Sequence, residues 1–353
     1  MSLLELPPEI LITIFEYVGS QSFRSELTRL MVCKQWYAFA RTAYFHDLRI
    51  TTKILRRLLA SPYAETNLAR IQKNAVRMEL EFQGFEDWDS FHASSYDLPE
   101  VSWHVTYGRV ERLAWTPEFN NDLLRLAKTV KKSQKLRCLR IQAITELHEN
   151  TLLEERRHYL FTWAIRPFLS KNALTTLDLD LVGTELVQGG KDGQEFHACV
   201  SIAALLTTLL RLRLRMRRIC ANVLNTGGPD KKLRLNEVII NLSLANESPL
   251  VSSFSHAKCC NTSSSGLPQL QHALEEQAGV LVTQMENPMM VRILRQEGRM
   301  GRKMQAFDVL TGKTIVFEDG TEWDGEGKII EEKVSDGESG ESEISELSSD
   351  SDV

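Results

Sequence analysis

Leu174-Thr175-Thr176-Leu177-Asp178-Leu179 places leucine at positions 0, +3 and +5 of a six-residue run. Leu177 and Leu179 flank Asp178, so an extended chain turns the two leucines to one side and the aspartate to the other. The same spacing recurs as Leu136-x-x-Leu139-x-Ile141, Leu209-x-x-Leu212-x-Leu214 and Leu235-x-x-Val238-x-Ile240. Looser copies are Phe45-x-x-Leu48-x-Ile50, Ala75-x-x-Met78-x-Leu80 and Val110-x-x-Leu113-x-Trp115. Seven strands with one apolar side each are expected, starting 26 to 38 residues apart.

Helix-patterned stretches lie between them: Ile54, Leu55, Leu58 and Leu59; Leu123, Leu124, Ala127 and Val130; Tyr159, Leu160, Trp163, Ala164 and Phe168; Ile202, Leu205 and Leu206. Strand-plus-helix units at this period predict an α/β fold, an irregular leucine-rich-repeat-like solenoid over residues 51–247, whose units bury their apolar edges by stacking. The spacing is longer and less even than the usual repeat of roughly 20–29 residues. An ordinary α/β domain with leucine-rich strands is the competing expectation. In a horseshoe the +2 and +4 positions face the concave side. These are Arg112 and Ala114, Cys138 and Arg140, Thr176 and Asp178, Arg211 and Arg213, Glu237 and Ile239, with Asp180 and Arg215 extending two rows. Acidic rows between basic rows either pair across strands, each pair contributing at most about 1 kcal/mol, or grip an acidic or phosphorylated target. On the second reading Arg140, Asp178, Arg211, Arg213 and Arg215 are candidate substrate-binding residues, with Arg217 and Arg218 beside them.

The N-terminal run from Leu4 to Trp36 has a different character. Pro7 and Pro8 suit the first turn of a helix, and Glu9 complements its dipole. Ile10, Ile14 and Val18 follow at intervals of four, with Leu11 and Phe15 one step round, and Gly19 is placed to stop the helix. Leu27, Leu30 and Met31 predict a second helix, widened by Val32 and Cys33; Trp36, Phe39 and Ala40 mark a third, ending near His46. Three short helices cannot bury this much apolar surface among themselves. Either the rest of the chain covers the stripe or a partner does.

Leu6-Pro7-x-Glu9-Ile10, Ile14, and Leu27-x-x-Leu30-x-Val32-Cys33-Lys34-x-Trp36 resemble an F-box, of the kind found at the N-terminus of many fungal proteins. The resemblance covers residues 4 to about 50, within an expected domain of residues 1–50. It implies docking on a Skp-type adaptor and, through it, a cullin–RING ubiquitin ligase of the SCF type. By motif position it implies Leu6, Pro7, Glu9, Ile10, Ile14, Leu30, Val32 and Trp36 as that interface or its immediate support. It also implies a non-enzymatic adaptor that holds a protein target near the conjugating machinery. The rival is a ligase-independent scaffold whose N-terminal helices pack on its own solenoid.

Composition sets the outer limits. The chain of 353 residues is 42% hydrophobic and 25% charged, ordinary for a soluble globular protein. No apolar run has membrane-spanning length, and no signal-peptide pattern opens the sequence. Six scattered cysteines without a Cys-x-x-Cys pair favour free thiols and a cytosolic or nuclear setting. The net charge of −5 is concentrated in residues 331–353, where nine acids face one lysine among seven serines. This tail is expected to be disordered. Ser335 and Ser349, each with an acid three residues on, are candidate sites for acid-directed kinases. A Ser-rich loop is expected over 248–268, then a helix over 269–278 and a hairpin from Met304 to Trp323 within a capping segment, 269–330.

Catalytic, phosphate-binding and zinc-ligand motifs are missing from the sequence, so neither an active site nor a cofactor is read. Adjacent Cys259 and Cys260 point apart on most backbones, and with His256 they are expected on a solvent-facing loop. Cys33 is expected in the core or interface of the helical module. Nucleic acid is a disfavoured partner, because no aromatics interleave the arginines.

Overall fold

The computed structural model describes residues 6–84, 102–144, 159–170, 173–184, 186–187, 197–228, 231–244, 256–260, 266–297, 303–318 and 320–329. The acidic tail and its serines lie outside the described residues, as do the side chains of residues 102–113.

Six of the seven spaced runs are strands: β1 (Asp47–Thr51), β2 (Arg77–Phe82), β3 (Cys138–Ala143), β5 (Thr176–Leu181), β7 (Arg211–Met216) and β8 (Glu237–Asn241). All pair in parallel in that order. Parallel neighbours need a crossover, and crossovers are right-handed. Because each strand steps the same way along the sheet, every crossover falls on the same face. That face holds α3 (Thr52–Ala60), α4 (Ala64–Asn74), α5 (Ser102–Lys131), α6 (Thr162–Leu169) and α7 (Ala198–Ala203). Met78, Leu80, Leu139, Ile141, Leu177, Leu179, Leu212 and Leu214 join Leu55, Leu68, Leu123, Phe168 and Ile202 in one buried core.

The seventh run corrects the sequence reading. Val110, Arg112, Leu113, Ala114 and Trp115 lie on helix α5, and β2 pairs directly with β3. Apolar residues continue past Trp115 at Phe119, Leu123, Leu126, Ala127 and Val130, all buried. Their three- and four-residue intervals are helical, and they outweigh a spacing that strand and helix share locally. A short parallel pair, β4 (Leu160–Phe161) with β6 (Leu186–Val187), sits beside the main sheet.

A further parallel strand, β9 (Met290–Glu297), extends the sheet beyond β8. Antiparallel strands β10 (Lys303–Asp308), β11 (Lys313–Val316) and β12 (Lys328–Ile329) follow. The expected hairpin is β10–β11, and it continues the sheet instead of closing over its end. The helix before β9, α8 (Leu267–Gln284), is longer than the span expected for it.

The N-terminal helices form a separate small core. Helix α1 (Pro8–Ser25) is interrupted at Gly19, whose φ of 77° breaks the helix before it resumes. Leu27–Leu30 is a 3₁₀ turn rather than a full helix, and α2 (Lys34–Tyr44) follows. Leu11, Phe15, Phe23, Leu30, Ala40 and Ala43 are buried together, with Leu6, Trp36, Phe39 and Tyr44 packed around them. Tyr44 belongs to this core and Phe45 packs against the sheet core; their rings meet edge-on at 5.3 Å.

Candidate protein-docking surfaces

Packing within the helical module decides which of its apolar residues remain outside. In α1, Leu11 and Phe15 turn inward, and Ile10, Ile14 and Val18 run beside them as a neighbouring row at intervals of four. Ile10 is 48% exposed and Val18 47%, while Ile14 is half-buried. The 3₁₀ turn buries Leu30, while Met31 after it is 78% exposed and Val32 64%. Pro7 and Glu9 are exposed at the start of α1.

Three of the residues marked from the motif serve the module's interior. Leu30 is buried. The Trp36 ring meets Phe15 edge-on with centroids 4.6 Å apart, and its Nε1 donates to the Arg29 carbonyl oxygen at 2.6 Å. Leu6 packs against the same core. Cys33, expected in the core or interface, is exposed, and its sulfur accepts the Trp36 backbone N–H as the N-cap of α2.

Residues 3–50 match the F-box-like family model. The chain therefore carries an F-box-like domain, and the match spans the small helical core together with the first strand, β1. No curated protein and no solved structure matches the chain.

The open face of the sheet is the second surface. Strand register aligns Arg49, Glu79, Arg140, Asp178 and Arg213 in one row across β1, β2, β3, β5 and β7. The charge alternates at every step. Arg140 bonds Glu79 at 3.1 Å and reaches Asp178 at 3.4 Å; Arg49 pairs diagonally with Glu81 at 2.7 Å. Arg211 holds Glu237 with two bonds, of 2.7 and 3.2 Å, and Arg213 shares that carboxylate at 2.8 Å. Arg215 grips Asp180 with bonds of 2.8 and 2.5 Å, and Arg217 donates to the Val182 carbonyl oxygen. Burial raises the Asp178 carboxyl above its ordinary range, against the opposing pull of Arg140 and Arg213.

The five marked residues Arg140, Asp178, Arg211, Arg213 and Arg215 thus share one face, but mainly as members of ion pairs within the chain. Part of the row is also covered. Arg213 pairs with Asp324, Arg211 lies 4.0 Å from that carboxylate, and the Arg215 guanidinium stacks on Trp323 at 4.9 Å. Arg292 adds a bond to the Gly325 carbonyl oxygen. Ile239, expected on the concave surface, is buried beneath Phe317, Ile315 and Leu294. The arginines are engaged by residues 323–325, a segment that precedes the acidic tail.

A third grouping was not legible in the sequence. His197, Cys199, Cys220 and Cys260 direct one nitrogen and three sulfurs into a space where all four atoms lie within 4.8 Å of one another. Hydrogen bonding to Cys220 and Cys260, with burial, pushes the Cys199 thiol upward. Neighbouring Cys199 and Cys260 pull the Cys220 thiol down to about 2. The loop expected to face solvent instead packs inward: Ala257 is buried, and Lys258 bonds the Arg217 carbonyl oxygen through its backbone N–H. His256 is directed elsewhere, its Nε2 lying 3.2 Å from the Gln296 carbonyl oxygen.

Proposed function

We propose that this chain is a substrate-recognition subunit of an SCF-type cullin–RING ubiquitin ligase, its F-box-like domain docking on a Skp-type adaptor. The observation carrying this reading is the exposure of Ile10, Val18, Met31 and Val32 on a helical core distinct from the sheet core. A scaffold whose helices hide their stripe on its own sheet would bury these residues, so the ligase-independent reading loses its main support. Ile10, Val32 and half-buried Ile14, with Pro7 and Glu9, form the proposed contact, while Leu6, Leu30 and Trp36 hold its shape. The sheet, taken as an irregular leucine-rich-repeat-like arc, presents the target. Arg140 and Arg211, about half exposed, are better placed to meet it than the more enclosed Arg213 and Arg215. The adaptor itself performs no chemistry in this reading; it raises the target's local concentration. Cytosol or nucleus is the proposed setting. Among the described residues no helix is long and apolar enough to cross a membrane.

Co-expression with a Skp-type adaptor tests the docking. A large apolar side chain buried at an interface contributes roughly 1.5–3 kcal/mol, one to two decades in affinity. Wild type should co-elute with the adaptor, and the double variant Ile10→Asp, Val32→Asp should lose it while keeping its circular dichroism, because both positions are exposed. Wild-type protein that binds no Skp-type adaptor would remove the proposal.

A further inference from the structure

We propose that His197, Cys199, Cys220 and Cys260 bind a zinc ion in a closed, structural Cys₃His site. Three stretches far apart in sequence supply the donors. His197 and Cys199 stand at the start of α7, and Cys220 immediately precedes the 3₁₀ turn Ala221–Leu224 that follows β7. Cys260 ends the stretch 256–260, which is fixed by backbone bonds from Ala257 to Leu242, from Lys258 to Arg217 and from Ile219 to Lys258.

The distances fit the ion. Tetrahedral zinc, with bonds of about 2.3 Å to sulfur and 2.0–2.1 Å to nitrogen, sets sulfur–sulfur edges near ~3.8 Å and sulfur–nitrogen edges near ~3.6 Å. Cys199 Sγ and Cys260 Sγ are 3.7 Å apart, and Cys220 Sγ lies 3.4 Å from His197 Nε2. The donor types fit as well. Three thiols and one imidazole in four-coordinate reach select zinc over the hard cations that oxygen ligands hold.

A disulfide is the main competitor, since Cys199 and Cys260 are near neighbours. It would account for two of the four groups and give no reason for an imidazole against the third sulfur. Cys199 and Cys220 are buried, and Cys260 and His197 are partly so. With four protein donors, the site has the make-up of a structural centre rather than a catalytic one, which keeps a position open for water or substrate. Its effect would be to fasten α7, the exit of β7 and the stretch 256–260 together on the helical side of the sheet. Metal binding of this kind is folding free energy, because the unfolded chain does not hold the ligands together.

The test uses the full chain, purified without chelator from cells grown with added zinc. Zinc is measured by elemental mass spectrometry against protein concentration. One zinc per chain is expected, with loss in Cys199→Ser and in Cys260→Ser and retention in Cys138→Ser, whose thiol lies on the polar face of β3. Should the serine variants fold poorly, His197→Cys supplies a folded control, since four sulfurs still satisfy the ion and the zinc should remain. Replacement by Co²⁺ should give the visible absorption of a tetrahedral thiolate complex. Zinc-free wild type, zinc retained by both serine variants, or a native Cys199–Cys260 disulfide in peptide maps would each overturn the proposal.

Discussion

Trp36 stands edge-on to Phe15 at 4.6 Å while its indole N–H reaches the carbonyl oxygen of Arg29. One side chain of α2 thereby fixes α1 and the 3₁₀ turn at once. Among the described residues the core it completes has six buried apolar side chains, so it has little reserve. Trp36→Ala removes the aromatic contact and the hydrogen bond together, and should cost about 2 kcal/mol or more. Hydrogen exchange should show amides of residues 8–44 losing protection while those of β3, β5 and β7 keep theirs. An exposed change such as Val32→Asp should leave both sets untouched. If Trp36→Ala instead weakened adaptor binding with full protection over 8–44, the indole would be an interface residue.

Asp180 and Arg215 form an enclosed ion pair on the open face, their side chains 7% and 16% exposed. Asp180 is 5% exposed and receives both arms of the guanidinium. Removing one partner from a buried pair leaves an uncompensated charge and typically costs about 3–5 kcal/mol. Arg215→Ala should lower the unfolding free energy obtained from urea titration by an amount in that range. Arg211→Ala, on a half-exposed pair, should change stability by less than about 1 kcal/mol. Similar losses from both variants would mean that the face is equally solvated along its length.

Much of this sheet was written plainly in the sequence, because a strand with one buried side must alternate. The Leu174 and Leu209 runs carry leucine at every inward position, and their partners pair in the register that the spacing implies. The pattern failed where its period is ambiguous. Val110, Leu113 and Trp115 satisfy it, yet Phe119, Leu123 and Leu126 continue on a helix. It also passed over β9, where Pro288 occupies the position that leucine holds elsewhere while Val291 and Ile293 keep theirs. In the F-box-like domain the motif marked the right segment but did not separate exposed Ile10 from buried Leu30, since both are apolar residues at helical spacing. The His197 cluster was beyond sequence reading altogether. Its members stand 2, 21 and 40 residues apart and meet only through the order of the strands.

Asp324 fastens residues 323–325 over the arginine row, and its titration should release them. Partial burial opposes its charge, but the hydrogen bond and charge of Arg213, helped by Arg211, hold its carboxyl below the ordinary aspartate value. A depressed folded-state pKa contributes stability above the unfolded value of 3.8, and that contribution is lost as pH falls through the folded value. The segment should therefore loosen only on the acidic side of the usual aspartate range. Trp323, stacked on Arg215, supplies the signal: its fluorescence should shift there in wild type and be already shifted at neutral pH in Asp324→Asn. An Asp324→Asn spectrum identical to wild type at neutral pH would show that the stack holds without the carboxylate.

Asn120 is fully buried on α5 and uses every polar atom of its side chain. Its Nδ2 donates to the Thr116 and Tyr159 carbonyl oxygens, both at 2.8 Å, and its Oδ1 accepts the Phe161 backbone N–H at 2.7 Å. The amide thus ties the helix that replaced an expected strand to the start of β4. Asn120→Asp changes the shape little but turns two donors into an acceptor facing two carbonyl oxygens. A buried group left unsatisfied costs about 1–3 kcal/mol, more when charged. Asn120→Asp should therefore be destabilised at neutral pH by more than Asn120→Ala, which abandons the same bonds without adding a charge. Acidification should narrow the gap between the two, because a protonated carboxyl regains one donor and sheds the charge. Thermal melts of both variants at neutral and mildly acidic pH would decide it; an Asn120→Asp protein as stable as wild type at neutral pH would mean that the amide is not the tie between α5 and β4.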